Sequence, residues 1–418
     1  MNRRLFIQTL SLSGVSLMIP RFGMAASTAP PAKYFVFIRM QGGWDVTLGL
    51  DPQVHATDED QNDMFIEYRP DEILKAGALS LGPAMASLTK YGKSMSIVNG
   101  IITATSDNGH PANLEYMSSG NGSGKAPYIP AEIAASSPSG SLGLVFQGQT
   151  STLDRNVVAT STGNVEALRS YIPLGDFSDS IAQSGVKDSF YRAQNAMMAD
   201  ATRIADLNQK MAESKYDQET DQSLRAAKIL AATFASGTAF QGQIDLNGQS
   251  LDSHTNHEKI HLASQKAYWD SIAGIFNIFS SVQLGTSGSS LYDQTMFMVI
   301  SEFSRTPALN AGKGKDHNPL TNSTLFAGGS IQGGVTFGSS HLIPRKKTKS
   351  GLPSHTALPV NLATGVVAKS RAEVDAGGFQ YITPETLVAT VAQAQNVDWA
   401  KFRSVGHTTP FIKSLLKP

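Results

Sequence analysis

Seven acidic and imidazole side chains fall in short polar stretches at the edges of apolar runs. Asp45 follows YFVFIRMQGGW, His110 follows SIVNGI, and Asp252 and His254 follow AFQGQIDLNGQSL. Glu302 closes TMFMVIS, and Asp316 and His317 stand just before STLFAGG. Cysteine is absent, so thiolate ligands, cysteine nucleophiles and disulfides are excluded. Carboxylates and imidazoles without thiols suit one or two divalent ions, with Zn, Mn, Mg or Ca as candidates. Two ions about 4 Å apart would hold the attacking and departing oxygens of a phosphate or sulfate ester. The competing reading is structural: a lone Asp or His in a loop is usually a cap or a surface residue. Asp252-Ser253-His254, for instance, also reads as an N-cap for the helix that follows.

The elements that must position these residues are legible as alternating runs. KYFVFIRM, SMSIVNGI, QTMFMVISEF and STLFAGG are strand-length and nearly all apolar, which predicts a sheet buried on both faces. GPAMASLTKYG, HEKIHLASQKAYWDSIAGIFNIFSSV and TPETLVATVAQAQNV read as helices, the last with a Thr-Pro-Glu start. The order strand, helix, strand from KYFVFIRM to SMSIVNGI suggests a right-handed βαβ unit. Residues 107–175, rich in Gly, Ser and Pro, read as loops with short strands around SLGLVFQG. Residues 187–234 carry long helical stretches that either cover the sheet or form an insertion. The alternation predicts an α/β fold with a largely parallel sheet, whose ligands would sit beyond the carboxyl ends of the strands.

Lys plus Arg and Asp plus Glu are both 34 in 418 residues, so no general basic field invites nucleic acid. The basic run PRKKTKS at 344–350 reads as a solvated loop. The first residues, MNRRLFIQTLSLSGVSLMIPRFGMAAS, have a basic start, a short apolar stretch and small residues, the three parts of a cleaved export signal. Arg3-Arg4 followed by Leu5-Phe6 resembles the twin-arginine motif, which engages the Tat export machinery. Cleavage is expected near Ala25 or Ala26. That would leave a periplasmic or secreted protein with no stable membrane span, since the apolar stretch is shorter than the roughly 20 residues a span needs.

The motifs FVFIRMQGGWD, GHPANLEYMSSGN, LDSHTN, SEFSRTP, GKDHNPLTNSTLFAGGSIQGG and ITPETLVATVAQAQNVD resemble the Tat-exported bacterial proteins grouped as domain of unknown function 1501. That group sits in the alkaline phosphatase-like superfamily with sulfatases and cofactor-independent phosphoglycerate mutases. The motifs run in family order over nearly the whole mature chain, and 301–334 is the most specific block. The resemblance implies an alkaline phosphatase-like α/β fold, its largely parallel central sheet flanked by helices on both faces. It implies one domain over 33–418, with a helical insertion around 187–234 and the export signal over 1–26. It implies that Asp45 ligates one metal ion, that Asp252 and His254 ligate the other, and that Glu302 stands where the superfamily has a metal-binding Asp. His317 matches the family's late histidine, with His355 in SHTALPV as its rival. Asp316 is either a further ligand or the residue that orients His317. The superfamily's nucleophilic Ser or Thr is replaced by Gly109 in SDNGHPAN, with Thr105 and Ser106 out of register. His110 is then an acid/base or a ligand, and Arg305 either clamps an oxyanion or forms a loop salt bridge. Two functions follow as expectations. One is an exported, metal-dependent hydrolase that attacks a small-molecule or glycan phosphate or sulfate ester with water. The other is a non-catalytic envelope protein of the same fold that binds metal or glycan.

Overall fold

The structure is a computed structural model that describes residues 33–55, 60–136, 142–168, 202–246, 248, 250–285, 288–406 and 408–417. The expected export signal over 1–26 and residues 187–201 of the expected insertion lie outside the described residues.

Eight strands form the central sheet: β1 (Tyr34–Met40), β2 (Met95–Asn99), β3 (Leu144–Gln147), β4 (Ala159–Ser161), β5 (Gln241–Leu246), β6 (Thr295–Ile300), β7 (Ser323–Gly328) and β8 (Val335–Phe337). Their order across the sheet is β8-β2-β7-β6-β1-β5-β3-β4. All pairings are parallel except those of β7, which runs antiparallel to both β6 and β2. The fold is α/β with a mixed, mostly parallel sheet. β1 and β2 point the same way, but β7 and β6 lie between them, so they are not adjacent members of one unit.

The continuous apolar runs are explained by burial on both faces. Side chains alternate across a strand with period two. Tyr34, Val36, Ile38 and Met40 enter one core, and Phe35 and Phe37 the other. Phe297 and Val299 of β6 share the first core, and Met296, Met298 and Ile300 the second. The first core is closed by α3 (Gln222–Ala235), α4 (His257–Ser281) and a 3-10 helical segment over Pro83–Ser94. The second is closed by α1 (His110–Ser119), α2 (Ile129–Ser136) and α5 (Pro384–Ala394). Each fully buried Phe or Val side chain contributes about 1.5–3 kcal/mol, so the paired cores are what fix the strand edges in place.

Two expectations change here. The stretch 107–175 holds α1 and α2 as well as short strands. Its Gly, Ser and Pro hide helix starts: Pro111 and Pro130 each lie in a first turn, where a missing N–H costs nothing. In the helical stretch at 187–234, residues 202–214 are helical and α3 lies against β5, so this helix covers the sheet.

Candidate metal site

The reversed direction of β7 explains why an acid after one strand meets an Asp-His pair before another. β6 and β5 end where β7 begins, so residues 301–302 and 252–254, which follow their strands, share an edge with 316–317, which precede theirs. A two-stranded ribbon finishes the placement by pairing Arg305 with His317 and Ser304 with Asn318. The turn after β1 needs Gly42 (φ 110°) and Gly43 (φ 70°). A Cβ on Gly43 would lie 2.3 Å from the Phe303 ring. That ring stacks on His317, with centroids 4.2 Å apart.

His110, Asp252, His254 and His317 converge, each offering one ligand atom within 4.8 Å of the others. His254 Nε2 lies 3.0 Å from His317 Nε2 and 3.1 Å from Asp252 Oδ1. His110 Nε2 is 3.3 Å from the same oxygen. The other nitrogen of each ring is engaged by an acceptor. His110 Nδ1 donates to Glu302 Oε1 at 2.6 Å, His254 Nδ1 to Asp316 Oδ1 at 2.8 Å, and His317 Nδ1 to the Asn108 carbonyl at 3.1 Å. Those bonds place the proton on Nδ1 and leave each Nε2 with a lone pair aimed inward. His110 Nε2 is buried and makes no hydrogen bond. Lone pairs facing one another at 3.0–3.3 Å repel unless a cation or a proton lies among them. Ligands held about 2.1 Å from a tetrahedral ion sit about 3.4 Å apart, so the donor set fits one transition-metal ion.

Glu302 and Asp316 therefore take different parts from those expected of direct ligands. Each stands behind an imidazole and fixes its orientation, an arrangement common around metal-bound histidine. Asp316 orients His254 rather than His317. Glu302 is itself held by the Gly42 amide at 2.8 Å and the Ser301 hydroxyl at 2.9 Å. Its hydrogen bond raises the pKa of His110. Burial lowers that of His317. Burial pushes Asp252 up, but the neighbouring Arg305 outweighs it and holds the carboxyl low.

Arg305 is no anion clamp. It is 1% exposed, and its guanidinium donates to the carbonyls of Gly42, Gly43, Leu251 and Lys315 and to Asp252 Oδ1 at 2.9 Å. It ties the turn after β1 to the loops that carry Asp252 and Lys315. Asp45 is not brought to the group either. Its carboxylate is buried, accepts from the Thr47 amide and hydroxyl, and pairs with Lys315 Nζ at 2.6 Å. Burial raises its pKa, but Lys315 and His257 outweigh it and hold the group well below the usual range. His355 lies apart, buried against Ser340. Gly109 is the N-cap of α1 at φ −88°. A Cβ there would meet only the Asp107 carboxyl, at 3.3 Å, so glycine is not required by the backbone.

The sequence reading missed Lys315, Ser253, His257 and His261. The two histidines stand one turn apart on α4, a visible spacing on a helix read as merely amphipathic. An open cleft of about 680 Å³ adjoins the group, lined by His110, Asp252 and Glu302 together with Gln41, Leu114, Gln149 and Tyr268. Among the described residues, no helix is long and apolar enough to cross a membrane.

Among solved structures, the chain is similar to a protein of the alkaline phosphatase superfamily from Vibrio parahaemolyticus, with 10% identity and a TM-score of 0.31 over 81% of this chain and 72% of that one. It is also similar to a protein from Pyrococcus horikoshii, with 11% identity and a TM-score of 0.29 over 89% of this chain and 98% of that one. No curated protein matches the sequence. The α/β assignment rests on the sheet itself and not on likenesses this slight. The family model for the protein of unknown function DUF1501 matches residues 187–357, the segment that carries Asp252, His254, Glu302, Asp316 and His317.

Proposed function

We propose that this protein binds a divalent transition-metal ion at His110, Asp252, His254 and His317 and uses it to hydrolyse an ester of an oxyanion, phosphate or sulfate, presented from the adjoining cleft. One observation carries the reading: three imidazoles have their Nδ1 occupied, so three Nε2 lone pairs and a carboxylate oxygen meet at one point. Such an ion supplies Lewis acidity and brings coordinated water toward ionisation near neutral pH. The chain's part is to fix the imidazoles with Nε2 turned inward through Glu302, Asp316 and the Asn108 carbonyl, and to keep Asp252 ionised through Arg305. With Gly109 where a hydroxyl would stand, water is the nucleophile. The test is elemental analysis of untagged protein together with turnover of aryl phosphate and aryl sulfate esters. Bound metal and chelator-sensitive turnover, both lost in His254→Ala, support the reading. Turnover that survives chelation and loss of His254 rejects it.

A second reading, an ion held without turnover, is favoured by one fact. Among the described residues, no Lys or Arg lines the cleft, so the ion alone would face an anionic substrate. Metal without turnover would select it. Export by the twin-arginine route belongs to the same proposal and rests on Arg3-Arg4. Cell fractionation of the Arg3→Lys, Arg4→Lys protein should find it retained in the cytoplasm, and unchanged export would end that part.

A further inference from the structure

Asp45 and Glu67 meet His257 in a second pocket, behind the imidazole group. His257 Nε2 lies 3.3 Å from Asp45 Oδ2 and 3.4 Å from Glu67 Oε1. That nitrogen and the Glu67 oxygen are both buried without a hydrogen-bond partner. Two observations separate this pocket from the imidazole group. The first is a resident cation: Lys315 Nζ, 1% exposed, sits 2.6 Å from Asp45 Oδ2 and 3.0 Å from the Phe65 carbonyl. The second is the direction of the hydrogen bonds. The Asp45 amide donates to His261 Nε2 at 2.9 Å, so the proton of His261 is on Nδ1, facing Ser253 Oγ at 2.9 Å. Ser253 then gives its hydroxyl proton to His257 Nδ1 at 2.7 Å. His257 is left with its proton on Nε2, facing the two acids. The three imidazoles of the candidate site present lone pairs inward, whereas this one presents a hydrogen.

We infer that Lys315 is a tethered cation standing in the place of a second metal ion beside Asp45, so that the chain holds one ion and not two. Charge agrees with geometry. Burial, with Asp45 nearby, pushes Glu67 up to about 8, so it keeps its proton at neutral pH and Lys315 balances Asp45 alone. The inference rests on the metal reading above and narrows it. A displacement clamped between two ions is replaced by one-ion chemistry, with Lys315 also fixing the loop that carries Asp316 and His317. The Lys315 amide bonds the Ser253 carbonyl at 3.0 Å, and its carbonyl receives Arg305 Nη1 at 3.2 Å. These contacts seat 315–317 against 252–254.

The test is metal content per chain after reloading the full-length protein with zinc and desalting it. One equivalent, unchanged by Asp45→Asn and lost in His254→Ala, is the expected result. Two equivalents, falling to one in Asp45→Asn, would overturn this inference and leave the metal reading standing; none at all would overturn both. A second measurement needs no metal. Lys315→Met strands the Asp45 carboxylate and should lower the melting temperature by about 4–6 °C. Adding Asp45→Asn removes that charge and should restore most of the loss. A double variant as unstable as Lys315→Met shows that Lys315 does not serve as the counter-ion.

Discussion

Each imidazole of the candidate site has two jobs, and the residue behind it sets which nitrogen does which. Asp316 is the clearest case, because its carboxylate holds His254 Nδ1 at 2.8 Å while standing half in solvent. Replacing it with Asn keeps an acceptor but removes the charge that makes the imidazole a stronger donor to metal. Loss of such an outer partner typically costs about 10–100-fold in metal affinity. We expect Asp316→Asn to weaken zinc binding by that factor in a chelator competition, with the melting temperature of the metal-free protein unchanged. Glu302→Gln acts on His110 in the same way but is buried, and it also bonds Gly42 and Ser301. Its metal-free stability should therefore fall as well. Equal affinity in wild type and Asp316→Asn would show that His254 is oriented by something else.

At the scale of elements, the turn after β1 decides whether the imidazoles are presented correctly. Gly43 has φ 70°, and a methyl group there would press into the Phe303 ring that stacks on His317. Gly43→Ala combines left-handed backbone strain with a clash and should cost about 1–3 kcal/mol in urea denaturation. It should also weaken metal binding, because His317 loses its stacking wall. Stability and affinity both unchanged would place the turn outside the site's support. The strands were legible in the sequence because burial on both faces leaves unbroken apolar runs. Their directions were not, because periodicity carries no sign. The reversal of β7, which brings 316–317 to 252–254, follows only from pairing with β6 and β2. Position at strand ends singled out His110, Asp252, His254 and His317, which the structure brings together. It misplaced Asp45, whose partner Lys315 is 270 residues away, and it read Glu302 as a ligand because spacing cannot tell a ligand from the residue behind one.

For the whole molecule, stability against pH turns on buried groups that cannot reach water, and one pair has opposing signs. Asp51 and His355 meet across Ser340, whose hydroxyl contacts the Asp51 carboxyl and lies 2.6 Å from His355 Nε2. Burial raises Asp51 from 3.8 to about 6 and lowers His355 from 6.5 to about 4. Between roughly pH 4 and pH 6, folded Asp51 holds a proton that the unfolded chain releases, so its contribution to stability is lost as pH rises through that window. Folded His355 lacks a proton that the unfolded chain binds over nearly the same window, so its contribution is lost as pH falls. Each shift is worth about 3 kcal/mol at 1.36 kcal/mol per pKa unit, and in the wild type the two slopes largely cancel. Removing either one exposes the other. Asp51→Asn should become more stable relative to wild type by about 3 kcal/mol on going from pH 4 to pH 6.5. His355→Asn should become less stable by a similar amount over the same range. Urea denaturation at a series of pH values reads both slopes, and two variants that run parallel to wild type across that window would show that this pair does not couple folding to protons.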